Sequence, residues 1–178
     1  MHEEIILAGF GGQGVLLLGK LLSEAAMEEG RNVSWLPSYG PEMRGGTANA
    51  NVIISDEQIG SPIIIESTIV VAMNRPSLEK FEKTLVKDGI LFINSSIIDV
   101  EPVRKDIQVI KVPANEIASN LGNLKIANIV MAGAIIKKTQ IVKLETFIDV
   151  IKNNFTSKKT SLIDINLKAL EEGAKSIS

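Results

Sequence analysis

Leu7-Ala8-Gly9-Phe10-Gly11-Gly12-Gln13-Gly14 is the stretch from which the fold of this chain is read. Ahead of it, Glu4-Ile5-Ile6-Leu7-Ala8 is an apolar run of strand length; behind it, Val15 to Gly30 carries apolar residues at helical spacing without a proline. The order is strand, tight turn, helix. Gly9, Gly11 and Gly14 fit G-x-G-x-x-G, a turn whose backbone N–H groups approach a ligand closely at the positive end of the following helix. The ligand suited to such a turn is an anion, a phosphate above all. The same turn also occurs as a plain strand-to-helix connection that binds nothing.

Gly30 stops the helix and Arg31 to Leu36 reads as a second strand, so the opening is a βαβ unit with its two strands as a parallel pair. A dinucleotide-binding domain carries an Asp or Glu at the end of that second strand for the ribose hydroxyls. Here the strand runs into Pro37-Ser38-Tyr39-Gly40, and the missing carboxylate counts against NAD. The nearest acid, Glu42, belongs to a second motif, Ser38-Tyr39-Gly40-Pro41-Glu42-Met43-Arg44-Gly45-Gly46-Thr47-Ala48. Gly40-Pro41 and Gly45-Gly46 bracket Glu42 and Arg44 on a segment near the carboxyl ends of the first two strands. Arg44 can present its fork to a phosphate or carboxylate, with Ser38 and Tyr39 offering hydroxyls. Alternatively, Glu42 pairs with Arg44 and merely fixes the loop.

Further strands are expected at Thr47–Ser55, Thr68–Met73, Gly89–Ile93 and Ile107–Val112, with helices at Ser77–Val86, Pro113–Leu121, Leu124–Lys138, Leu144–Asn154 and Ser161–Ala174. The strands at Thr68 and Gly89 end in Asn74 and Asn94. Open α/β sheets bind ligands beyond the carboxyl ends of their strands, which makes these two amides candidate pocket residues, although asparagine is also a common loop former. The helix Leu124–Lys138 is apolar nearly all round and rich in small residues, so it is buried, either under its own sheet or against a subunit. The expected fold is α/β, a single Rossmann-like domain over 1–178 with a mostly parallel central sheet covered by helices on both faces.

The chain of 178 residues has a net charge of −2 and 4% aromatic residues, which argues against a nucleic-acid partner. No apolar run approaches the roughly 20 residues of a membrane span, and the first strand starts where a signal peptide would lie, so a cytoplasmic location is expected. There is no cysteine, which excludes disulfides, thiol catalysis and any iron–sulfur cluster held by this chain's own thiolates. The single histidine is His2. A ligand-shaped loop with so little acid–base chemistry, and no metal site in view, fits a chain that serves a reaction housed elsewhere.

With both motifs in hand, the sequence resembles the gamma subunit of the 2-oxoacid:ferredoxin oxidoreductases, through Ile6 to Val15 and through Trp35 to Ala48. The resemblance implies a complex that oxidatively decarboxylates a 2-oxoacid, joins the acyl group to coenzyme A and reduces ferredoxin. Thiamine diphosphate and iron–sulfur clusters belong to partner subunits there: alpha and beta, with delta an optional addition. Met43-Arg44-Gly45-Gly46-Thr47 is more similar to the 2-oxoglutarate type, with branched-chain 2-oxoacids second. The gamma domain is then a non-catalytic one that closes over coenzyme A, inactive when isolated and able to self-associate through the surface its partners cover. Cofactor-binding residues expected on this basis are Gly9, Gly11, Gly12, Gln13, Gly14, Ser38, Tyr39, Glu42, Arg44, Gly45, Gly46 and Asn74. Gly11, Gly12 and Gln13 would donate to a phosphate and Arg44 would add charge, while Tyr39 and Glu42 shape the loop or an interface. A purely structural scaffold in the same complex and an independent nucleotide-binding protein are the alternatives.

Overall fold

A computed structural model describes residues 1–38, 47–155 and 160–177. In chain order the elements are β1 (His2–Phe10), α1 (Val15–Glu28), β2 (Asn32–Ser38), β3 (Thr47–Ser55), β4 (Ser67–Ala72), α2 (Arg75–Phe81), β5 (Leu85–Asn94), β6 (Gln108–Val112), α3 (Ala114–Asn120), α4 (Ala127–Thr139), α5 (Leu144–Phe155) and α6 (Thr160–Lys175). Single 3₁₀ turns precede β5 (Glu82–Thr84) and α4 (Leu124–Ile126). The six strands form one sheet in the order β2-β3-β1-β4-β5-β6. The pairs β1–β4, β4–β5 and β5–β6 are parallel, whereas β3 runs antiparallel to both of its neighbours. This is the expected α/β fold with a mostly parallel sheet.

The continuous apolar runs are explained by burial on both faces. Ile5, Leu7, Val52, Ile54, Ile69, Val71 and Phe92 point into the larger core with α1, α3, α4, α5 and α6. Their neighbours Ile6, Ala8, Val70, Ala72, Leu91 and Ile93 point the other way, against Leu78 of α2 and Ile98. Each fully buried Leu or Ile contributes about 1.5–3 kcal/mol relative to an exposed one.

Two expectations are corrected. The second strand does not pair with the first: β3 lies between them, with Ile5 opposite Val52 and Trp35 on the far side of Val52. The reason is burial. Ala48, Ala50, Val52, Ile53 and Ile54 of β3 are all buried, as an interior strand requires, while Trp35 and Leu36 of β2 are 37% and 43% exposed, which suits an edge. The helix expected over Ser77–Val86 ends at Phe81, because Leu85 onward is already strand β5 and Ser67 pairs with Leu85 across an irregularity in the register. That helix starts at Arg75, where the Asn74 side chain accepts the Ser77 N–H at 2.9 Å and Pro76 occupies the first turn.

Helix α4 is buried within its own chain, ten of its thirteen residues being inaccessible. Its small residues admit α6 rather than another subunit. A Cβ added at Gly133 would lie 2.0 Å from the Leu170 carbonyl oxygen, and one added at Gly173 would lie 1.8 Å from that of Val130. The helices therefore cross backbone to backbone, glycine against carbonyl in both directions, the geometry in which Cα–H groups meet carbonyl oxygens.

Candidate functional site

The glycine loop sits where the carboxyl ends of β1, β4 and β5 converge, and its glycines serve different needs. Gly12 and Gly14 adopt φ of +94° and +74°, the left-handed region in which a side chain is strained. At Gly9 the loop folds back so closely that a Cβ would lie 2.8 Å from the Gln13 Oε1 and 3.0 Å from the Met73 Cβ. Gly14 is also the N-cap of α1, and no side chain caps that helix. Among the described residues the N–H groups of Val15, Leu16 and Leu17 meet no acceptor; the first helical bond is from Leu18 N–H to the Gly14 carbonyl at 2.9 Å. Unpaired N–H groups and the helix dipole make this end electropositive.

Gln13 is turned inward. Its Oε1 accepts from the Phe10 N–H at 2.7 Å and from the Asn74 Nδ2 at 3.2 Å, and its Nε2 donates to the Met73 carbonyl at 3.1 Å. The side chain thus ties the loop to the end of β4. The same Met73 carbonyl accepts from the Asn94 Nδ2 at 3.4 Å, and that nitrogen also donates to the Asn115 Oδ1 at 2.8 Å. Asn74 and Asn94 are fully buried. They belong to one amide network behind the glycine loop, and neither lines the hollows beside it.

Two hollows flank the loop. One, of about 270 Å³, is lined by Phe10, Gly11, Gly12, Gly14, the first turn of α1 and Ala48. The other, of about 200 Å³, is lined by Gly12, Gln13, Met73, Asn115, Leu124, Lys125 and Ala127. Among the described residues neither is lined by a carboxylate or an imidazole. N–H groups, amides and the Lys125 ammonium can hold an anion but have no base for proton transfer. Among the described residues no group of three or more His, Cys, Asp or Glu side chains is placed to hold a metal ion, and no helix is long and apolar enough to cross a membrane.

Ser38 is exposed at the end of β2, paired with Asn49, and Thr47 pairs with Phe10 beside the glycine loop. The second motif thus departs from and returns to the same end of the sheet as the first. The expected site residues Tyr39, Glu42, Arg44, Gly45 and Gly46 lie outside the described residues.

Sequence reasoning missed Asn115, Lys125 and Asn128. Asn128 is buried, packs against Gly14 and donates to its carbonyl oxygen at 3.1 Å. A lone amide inside the apolar run of α4 was a signal that could have been followed, since a buried amide needs a partner. Asn115 and Lys125 carried no such signal.

Comparison with known proteins follows the same lines. A family model described as pyruvate ferredoxin/flavodoxin oxidoreductase matches residues 4–176. The ketoisovalerate oxidoreductase subunit VorA of Methanothermobacter marburgensis is 44% identical over 94% of this chain, and the chain spans 35% of that protein's length. The 2-oxoglutarate synthase subunit KorC of Methanocaldococcus jannaschii is 36% identical over 82% of this chain and 80% of its own. The crystal structure of a keto/oxoacid ferredoxin oxidoreductase gamma subunit from Geobacter sulfurreducens superposes with a TM-score of 0.83 at 28% identity, covering 98% of this chain and 97% of that one.

Proposed function

The chain belongs to the pyruvate ferredoxin/flavodoxin oxidoreductase family, and from that premise we propose that it is the non-catalytic gamma subunit of a 2-oxoacid:ferredoxin oxidoreductase that makes acyl-CoA, CO2 and reduced ferredoxin. Its partners in this reading are the alpha and beta subunits, with delta an optional addition, and these hold the thiamine diphosphate and the iron–sulfur clusters. The observation that carries the reading is the glycine loop: a helix end hollowed on both sides which, among the described residues, has no side-chain cap, free N–H groups and no lining carboxylate. Such an end suits the diphosphate of coenzyme A. Coenzyme A supplies the thiol that accepts the acyl group; the loop and Lys125 bind and orient its anionic portion, and Arg44 adds charge from the second motif.

The proposed 2-oxoacid is 2-oxoglutarate, since KorC is similar to this chain over most of its own length. A branched-chain 2-oxoacid is the second reading, favoured by the 44% identity to VorA. A scaffold role without ligand is favoured by one observation, the inward commitment of Gln13 and of the Gly14 carbonyl.

The test is gentle purification from native cells, followed by assay of 2-oxoacid-dependent ferredoxin reduction with and without coenzyme A. Recovery with thiamine- and cluster-bearing partners and coenzyme-A-dependent activity is the expected outcome; recovery alone and inactive overturns it. In the scaffold case Arg44→Ala weakens assembly while the apparent affinity for coenzyme A in the surviving complex is unchanged.

A further inference from the structure

The two hollows beside the glycine loop meet at Gly12, which lines both, but their chemistry differs. On one side stand Phe10, Val15, Leu16, Leu17 and Ala48, with no charged side chain. On the other stand Gln13, Asn115 and Lys125, and among the described residues Lys125 is the one charged side chain lining either hollow. Glu116, next to Asn115 on α3, is exposed and does not line it.

The buried Asn94 decides what Asn115 presents to that hollow. Its Nδ2 donates to the Asn115 Oδ1 at 2.8 Å and faces the Met73 carbonyl at 3.4 Å, while its Oδ1 is buried without a partner. An unpaired buried acceptor is destabilising. The amide nevertheless keeps this orientation, because turning it over would set its oxygen against the Met73 carbonyl oxygen, which can only accept. Asn115 is fixed in turn. Its oxygen is taken by Asn94, so its Nδ2, with two N–H donors, is the group left for the hollow. An amide nitrogen and an ammonium are both donors, and together they suit a group that only accepts and is fully charged.

Coenzyme A has two anionic groups, its diphosphate and the 3′-phosphate of its ribose. The diphosphate spreads its charge over two phosphorus atoms and suits the neutral N–H groups of Val15, Leu16 and Leu17 on the Phe10 side. A phosphate monoester concentrates a charge of about −1.5 to −2 on one group near neutral pH, and the ammonium lies on the Asn115 side. We propose that the hollow of Asn115 and Lys125 binds the 3′-phosphate of coenzyme A, and that Asn94 is the positioning residue that turns the Asn115 nitrogen toward it. This rests on the gamma-subunit reading above and assigns one anionic group to each side of the loop.

The complex is purified from native cells carrying the wild-type chain, Asn115→Asp, Asn94→Leu or Lys125→Ala. Its Kd values for coenzyme A and for 3′-dephospho-coenzyme A are measured by calorimetry without 2-oxoacid. The wild-type complex is expected to bind coenzyme A at least about tenfold more tightly than the dephospho form, the scale of charge-assisted hydrogen bonds. Asn115→Asp keeps the acceptor for Asn94 but turns a carboxylate oxygen to the hollow, and Asn94→Leu keeps the volume but releases Asn115. Each is expected to reduce the preference to about threefold or less, chiefly by weakening coenzyme A. A merely structural role would weaken both ligands alike. Lys125 is exposed, so Lys125→Ala decides the matter if the other two fail to assemble. Equal affinity of the wild-type complex for the two ligands, an unchanged preference in the assembled variants, or an equal loss for both ligands overturns the 3′-phosphate assignment, and an unchanged preference in Asn94→Leu alone overturns the role of Asn94. A wild-type complex that binds neither ligand overturns the coenzyme A reading itself.

Discussion

The crossing of α4 and α6 gives the sharpest test of how the core is held, through Gly173→Ala. A Cβ at Gly173 would fall 1.8 Å from the Val130 carbonyl oxygen, where such atoms do not approach nearer than about 3.0 Å, and 2.7 Å from the Val130 carbonyl carbon. Both obstacles are backbone, so no rotamer change relieves them and the helices must part by roughly 1 Å. A gap of that size forfeits a quarter to a half of the dispersion attraction of every atom pair across it. Buried Val130, Ala134, Ala169 and Leu170 lie along this seam. The overpacking cost is at the upper end of the usual range, about 3 kcal/mol. Replacing a helical glycine by alanine returns about 1 kcal/mol. The net loss is about 2 kcal/mol, or a fall of about 4–8 °C in Tm for a chain of this size. Urea unfolding should show a lower midpoint with unchanged slope. Gly133→Ala meets Leu170 in the same way, and the double variant should lose less than the sum, since one parting of the helices makes room for both methyl groups. A Gly173→Ala protein within about 0.5 kcal/mol of wild type, or more stable, would refute the close crossing.

Gly14→Ala combines a strained φ of +74° with a Cβ 2.5 Å from the Asn128 Nδ2. It should destabilise by about 2 kcal/mol in urea unfolding, with Asn128→Ala restoring only the contact part; a loss below about 0.5 kcal/mol would contradict the description of the loop. Stability should also fall in acid. Side-chain hydrogen bonds hold the carboxyls of Asp56, Glu101, Asp106 and Glu171 below their ordinary range, from the amino terminus, Lys111, Arg104 and Lys175 respectively. Carboxyls that are more acidic in the folded state stabilise it above their unfolded pKa and lose that contribution as pH falls through the depressed values. Urea midpoints should therefore decline from about pH 5 downward, and Asp106→Asn should flatten part of the slope; an unchanged slope would exclude that pair as a source.

The interior of the sheet was legible because Ile5–Ala8, Ile69–Ala72 and Leu91–Ile93 are buried on both faces, and only such strands need uninterrupted apolar runs. Strand neighbours were less so. A strand after a helix suggests a crossover pair, and nothing within 31–36 shows that the next strand returns to sit between. The end of α2 was blurred because Leu78 and Leu85 lie seven residues apart, a helical spacing, although the second of them opens β5. In the site, the glycines could be read from their spacing, whereas the inward turn of Gln13 depends on Met73 and Asn74, some sixty residues away. Asn115 and Lys125 reach the hollow from elements with no motif of their own. Nothing in the sequence around Gly173 shows why α6 carries a glycine there; the reason is α4, which packs against it.

The reversed direction of β3 has a consequence for how the chain can diverge. Parallel neighbours must be joined by long crossovers that pack on the sheet, but antiparallel ones tolerate a connection of almost any length. Because β2 and β3 are antiparallel, residues 39–46 join two strand ends that are already fixed in register, Ser38 opposite Asn49 and Phe10 opposite Thr47. The pairings that fix this register lie among the described residues of β1, β2 and β3, outside 39–46. The fold thus inserts its second motif between two strand ends beside the glycine loop, where a change in length need not alter the pairing of the sheet.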